Sequence, residues 1–95
     1  MSEQSPVVIL GFNRPTLIAR VFRAVSQARP PRLYLVMDGP RANVPSDVEK
    51  VRRTREAVSQ VDWPCEVVEI FAPTNMGLKN RIVSGLTEVF RTADR

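Results

Sequence analysis

The 95-residue chain has no histidine, and cysteine, tryptophan and tyrosine occur once each. Without histidine there is no Ser-His or Cys-His nucleophile pair and no zinc site built on His and Cys. The lone Cys65 excludes an intrachain disulfide. Chemistry therefore falls to carboxylates, amides, cations and backbone groups. Glycine is also sparse, at four residues, and neither G-x-G-x-x-G nor G-x-x-x-x-G-K-[ST] occurs. Asp38, Asp47, Asp62 and Asp94 are scattered with no D-x-D spacing, so no catalytic acid/base pair and no metal pair can be read from the residues. No apolar run approaches the roughly 20 residues of a membrane span. The opening Met1-Ser2-Glu3-Gln4 lacks the basic region and apolar core of a leader. A single cytoplasmic domain over 1–95 is expected, with no transmembrane segment and a disordered tail at 1–5.

Net charge is +4, from 14 basic and 10 acidic residues. Such a balance suits an anionic partner: nucleic acid, nucleotide or membrane surface. The cations are spread along the chain, and on one helix they stand four residues from acids, Glu49 with Arg53 and Arg52 with Glu56. No aromatic residues interleave them as a single-strand binder requires. The expectation is a solvated face and no nucleic acid.

The apolar pattern has three cycles. Val7 to Leu10 is a continuous run, the mark of a strand buried on both faces. Pro15 to Ala28 follows as a helix, with Leu17, Ile18, Val21, Phe22 and Val25 at helical spacing and Pro15 suited to its first turn. Leu33 to Met37 is a second unbroken run, stopped by Asp38-Gly39-Pro40. Ser46-Asp47-Val48-Glu49 reads as a capping box, and Val48, Val51, Val58 and Val61 carry a narrow stripe to Asp62-Trp63-Pro64. The third run, Cys65 to Phe71, includes Glu66 and Glu69, as a sheet edge tolerates. Ile82, Val83, Leu86, Val89 and Phe90 mark a third helix. Three β-α units predict an α/β fold, a parallel sheet with helices on both faces. A doubly buried first strand belongs at the sheet centre. This requires either the order 2-1-3 or a chain that is part of something longer.

In open parallel sheets, ligands bind beyond the carboxyl ends of the strands. Three loops lie there. In the first, Gly11 and Phe12 precede Asn13, which donates and accepts, and Arg14, which reaches a phosphate in bidentate fashion. In the second, Asp38 can accept from a base or ribose, or start a turn with Gly39. In the third, Asn75 and Gly77 lead into a helix whose first turn carries Lys79 and Arg81, cations that oppose the helix dipole and so favour an anion. The nucleotide-binding candidates are these ten residues: Gly11, Phe12, Asn13, Arg14, Asp38, Gly39, Asn75, Gly77, Lys79 and Arg81.

Four segments together carry a resemblance. These are Val8-Ile9-Leu10-Gly11-Phe12-Asn13-Arg14-Pro15, Leu35-Val36-Met37-Asp38-Gly39-Pro40-Arg41, Asp62-Trp63-Pro64-Cys65-Glu66-Val67 and Asn75-Met76-Gly77-Leu78. In order and spacing the chain resembles the amino-terminal, Rossmann-like half of the nucleotide-sugar-binding domain of GT-A glycosyltransferases. Its likeness is to a bacterial branch related to the family 2 enzymes and to eukaryotic N-acetylglucosaminyltransferases. The resemblance implies transfer of a sugar from a nucleoside diphosphate, usually UDP, to an acceptor hydroxyl. It implies that Gly11 to Arg14 hold the nucleotide, that Asp38 contacts the base, and that Asn75 and Gly77 line the pocket. It also implies that the D-x-D-type acids holding Mn²⁺ or Mg²⁺, and the acceptor-activating base, follow the next strand, beyond Arg95. The 95 residues alone are then expected to be inactive, with no cofactor of their own. The alternative expectation is a small stand-alone nucleotide-binding or interaction module that forms a homodimer through the exposed strand Val7 to Leu10.

Overall fold

A computed structural model describes residues 6–93; the expected tail at 1–5 lies outside them. The elements are β1 (Val7–Gly11), α1 (Pro15–Ala28), β2 (Arg32–Met37), α2 (Ser46–Ala57), β3 (Glu66–Phe71) and α3 (Leu78–Ala93). The three strands form one parallel sheet in the order β1-β2-β3. Three β-α units with a parallel sheet and helices on both faces are thus present, as the alternation of apolar periods predicts.

The centre of the sheet is β2, not β1. Leu33, Tyr34, Leu35, Val36 and Met37 are all buried, whereas in β1 only Ile9 is, and Leu10 is 42% exposed. The order 2-1-3 is therefore overturned. The physical reason is the placement of the helices. α1 and α2 share one face, where Ile18, Phe22, Val58 and Trp63 pack on Ile9, Leu33, Leu35 and Met37. α3 alone covers the other face. Its Val89 packs with Tyr34 and Val36 of β2, so it shields the middle of the sheet and leaves Leu10 of β1 open. Because strand side chains alternate in direction, β2 feeds both cores at once, and its continuous apolar run is needed. In β1 the same kind of run supplies one well-covered face and one thinly covered one. β3 is the other edge, as its glutamates suggest; Glu66 and Glu69 are exposed, and Arg32 of β2 pairs with Glu66 at 2.7 Å.

Each large apolar side chain buried in the two cores contributes roughly 1.5–3 kcal/mol. Trp63 adds an anchor: its indole N–H donates to the Pro30 carbonyl at 2.8 Å, and its ring stands 6.0 Å from that of Phe22. Helix boundaries depart from the sequence pattern in two places. The capping box at Ser46 does not form; Pro45 takes the cap position in helical conformation, with no side-chain cap bond. Asp47 turns away to other partners described below, and Glu49 is drawn to Arg52. α2 also ends at Ala57 rather than near Val61. Val58 and Ser59 close it with N–H groups bonded three residues back, to Arg55 and Glu56, and the Ser59 hydroxyl donates to the Glu56 carbonyl. Of the two expected ion pairs on α2, Arg52–Glu56 forms at 3.7 Å, while Glu49 pairs with Arg52 instead of Arg53.

Candidate functional site

The chain changes face after β3. α1 and α2 lie on one side and α3 on the other, so the loops at the carboxyl ends of the strands open between α1 and α3. A cavity of about 590 Å³ lies there. Of the ten candidates, Gly11, Phe12, Asn13, Arg14, Asp38, Asn75, Gly77 and Arg81 line it together. Leu10, Leu17, Ile18, Val36 and Ile82 give it an apolar wall. Gly39 lies behind the lining. A Cβ at Gly39 would stand 2.7 Å from backbone atoms of Ala72 and Thr74, so its missing side chain lets the second and third loops touch. The Lys79 side chain lies outside the described part of the structure.

The first loop is shaped by its neighbours as much as by any ligand. A Cβ at Gly11 would collide with the Met37 sulfur. Arg14 caps α1 without a side-chain bond and is exposed, with the carbonyl of Arg14 accepting from the Ile18 N–H at 2.9 Å. Asn13 uses an amide hydrogen on the Asp47 carboxylate at 3.1 Å.

Asp38, 3% exposed, is the carboxylate of the cavity, and it is already engaged. Its Oδ1 accepts from the backbone N–H of Gly39 at 2.8 Å and of Met76 at 2.9 Å, and its Oδ2 accepts from the Asn75 amide at 3.1 Å. The carboxylate thus ties the end of β2 to the loop before α3. Asn75 in turn accepts from the Gly77 N–H at 3.1 Å, an Asx-type turn that delivers the chain into α3. Gly77 has φ +83°, a left-handed conformation that glycine adopts without strain. The first turn of α3 then presents N–H groups without intrahelical partners, a natural anion seat.

Three residues outside the ten candidates complete the site. Arg41 lines the cavity, stacks over the Phe12 ring at 5.5 Å and holds Asp47 through Nε at 2.7 Å and Nη2 at 3.1 Å. Asp47 is buried and accepts from Arg41 and Asn13, so it clips the first loop to the second. Arg55 of α2 reaches beneath the cavity. Its Nη2 donates to the carbonyls of Asp38 at 3.0 Å and Ala72 at 2.8 Å, and its guanidinium lies 4.7 Å from the Phe71 ring centre. Arg41 stood beside the Asp38-Gly39-Pro40 stop in the sequence and was findable there. Asp47 was masked by its fit to a capping pattern, and Arg55 looked like one more surface charge of α2.

The electrostatics are lopsided. Arg81 is 8% exposed and donates to the Ile70 carbonyl at 2.6 Å and to Ser84 at 3.0 Å, yet among the described residues no carboxylate pairs with it. Arg55 is alike in lacking an acidic partner, and the Nε atoms of both are buried without a hydrogen bond. Burial pushes the Arg55 pKa below its ordinary value; the Asp38 charge opposes that shift and the Arg81 charge adds to it. Against Arg14, Arg41 and Arg81 the cavity sets one carboxylate that is bonded within the fold. No group of three His, Cys, Asp or Glu side chains that could hold a metal occurs among the described residues; the resemblance places the Mn²⁺ or Mg²⁺ acids beyond Arg95.

The Asp47 clip is pH-dependent with a definite sign. The hydrogen-bonded Arg41 guanidinium holds the Asp47 carboxyl well below the usual carboxylate range, with the Arg41 N–H and the Asn13 amide acting alike and burial opposing them. A depressed folded-state pKa stabilises the fold above the unfolded value of about 3.9, and that contribution is lost as pH falls towards the folded value. Asp47→Asn is therefore expected to lower the urea midpoint at neutral pH, with the gap to the parent chain closing below about pH 4. A gap that stays constant across that range would exclude the ion pair as its cause.

The chain matches no family model, no curated protein and no solved structure.

Proposed function

We propose that the cavity binds the nucleoside diphosphate end of a sugar nucleotide, with UDP as the expected nucleotide, and that the chain is the nucleotide-binding portion of a glycosyltransferase. One observation carries this reading. Three strand-end loops of a parallel sheet converge on a cavity lined by Arg14, Arg41 and Arg81, where Arg41 is paired with Asp47 and the lining carboxylate, Asp38, is bonded within the fold. An anion with an attached ring system suits that combination. The phosphates would take the cationic side, near Arg14 and the start of α3, where oriented N–H groups and guanidinium forks favour negative charge. The apolar side formed by Leu10, Phe12 and Leu17 would take the base. The four-segment resemblance to GT-A enzymes points the same way. Sugar transfer needs an acid/base or metal apparatus, which the reading assigns to residues outside this cavity.

The test is an NMR titration of the full chain with UDP. Amide peaks of residues 11–14, 38–41 and 75–81 are expected to move together, and those of β3 to stay. Arg14 has no side-chain partner among the described residues, so Arg14→Gln should weaken UDP binding roughly tenfold, in line with one charge-assisted hydrogen bond of about 1.5 kcal/mol, and leave the melting temperature unchanged. Peaks in the three loops that ignore UDP at millimolar concentration would overturn the reading.

A further inference from the structure

Helix α1 carries a feature that the cavity does not use. From Arg14 to Arg29 the chain holds four arginines and no acid. Arg14, Arg20, Arg23 and Arg29 are all exposed. The helix buries Ile18 and Phe22. At about 100° per residue, its remaining arc divides in two. Arg20 and Arg23 lie towards α2. Leu17, Val21, Ala24 and Ala28 lie on the other half, with Leu17 52% and Val21 39% exposed. Arg53 of α2 joins Arg20 and Arg23 along an open groove of about 490 Å³ between the two helices. Among the described residues none of these three arginines forms an ion pair. Glu56 also lines the groove, but its carboxylate is taken by Arg52. Glu49 is bonded to Arg52 and acts on Arg53 only through longer-range attraction.

We infer that this face docks on an anionic lipid bilayer surface, with Arg20, Arg23 and Arg53 among the headgroups and the apolar half of α1 pressed shallowly into the interface. Charge complementarity selects an anionic partner, because Arg20, Arg23, Arg52 and Arg53 stand together against two acids, Glu49 and Glu56, and leave a net excess of two cations. The apolar half of the exposed arc selects a bilayer. A basic flank beside exposed Leu, Val and Ala on one helix is the pattern of an interfacial helix. A nucleic-acid backbone would match the charge, but it would leave Leu17, Val21 and Ala24 in water and would find no aromatic side chain in the groove for a base to stack on. The docking face shares Leu17 with the cavity wall, but its cations Arg20, Arg23 and Arg53 lie outside the cavity, so the charged half of the docking does not depend on what the cavity binds.

The experiment is co-sedimentation of the full chain with vesicles of phosphatidylcholine alone or with about 30% phosphatidylserine. Binding to the mixed vesicles, little to the neutral ones, and release at high salt are expected. The triple variant Arg20→Gln, Arg23→Gln, Arg53→Gln should bind the mixed vesicles roughly 100-fold more weakly, since each arginine near an anionic surface contributes about fivefold. Val21→Gln keeps every charge and should weaken binding severalfold. Both variants alter exposed positions and should melt like the parent chain; the lipid and salt comparisons use the unaltered chain and stand whatever the variants do. No binding to the mixed vesicles, equal binding to neutral ones, or a triple variant that folds and binds as before would each overturn the proposal. So would an inert Val21→Gln together with displacement of the vesicles by duplex RNA, which would make a phosphate backbone the occupant.

Discussion

Gly85→Leu is expected to cost about 3 kcal/mol or more of folding stability, from the upper range of overpacking penalties, read as a fall in the urea midpoint. Glycine inside a helix is costly by about 1 kcal/mol relative to alanine, so a reason for it should be visible, and it is. Gly85 faces β2 in the middle of α3, and a Cβ there would overlap the Val36 side chain. Val36 is fully buried at the centre of the sheet, and its β-branched side chain has little rotamer freedom. The helix could accommodate a larger residue only by lifting off Tyr34 and Val36, and with them the second core. Val36→Ala opens space at the same point. The double variant Gly85→Ala, Val36→Ala should therefore be more stable than the sum of the two single effects, with a coupling of about 1–2 kcal/mol. Additive effects would mean that α3 does not press on β2 at this position.

Asp38→Ala should be nearly as damaging, at about 3 kcal/mol, because the carboxylate accepts three hydrogen bonds in a site 3% exposed. The Gly39 and Met76 N–H groups and the Asn75 amide would lose their acceptor, and Arg55 would lose the charge that attracts it. The loop before α3 would loosen, and Gly77 with it. Asp38→Asn keeps the shape and one acceptor oxygen, so it should cost about half as much. This ordering has a consequence for ligand binding. Loss of UDP binding in Asp38→Ala would report the collapse of a wall, whereas loss in a well-folded Asp38→Asn would report a contact with the nucleotide. Thermal melts of the two variants, with and without UDP, separate the two. Alanine and asparagine variants of equal stability would show that the carboxylate bonds hold little together.

Much of this architecture is written locally. Strand and helix periods follow from which side chains must leave water within a few residues of each other, and those periods place all six elements. The end of an apolar run at Gly11, Asp38 and Ala72 marks the strand ends, and topology brings the following loops to one edge. That is why eight of the ten candidate residues, taken from loops far apart in the chain, line one cavity. Gly39 is expected at the nucleotide or in a turn with Asp38, and in the fold its absent side chain serves loop-to-loop packing.

Other features depend on contacts that no local pattern contains. Val7–Leu10 and Leu33–Met37 look alike as apolar runs, yet one is an edge strand and the other the centre. The difference arises because α3 crosses to the far face and sits over β2. Ser46–Glu49 satisfies the capping pattern, but Pro45 takes the cap position and Glu49 pairs with Arg52, while the neighbouring Asp47 is held by Arg41 and Asn13. Arg55 and Arg81 became part of the site floor only when their helices folded over the strand ends. Sequence by itself determined which segments are strands and helices and which loops gather at the carboxyl edge, because burial along a strand or helix is a short-range periodic demand. Tertiary structure alone decided which strand is central, which carboxylate is spent on the fold and which cations are left without an acid, because each of those outcomes is a competition among partners from different elements, such as Asn13 with Asp47 and Asp38 with Asn75.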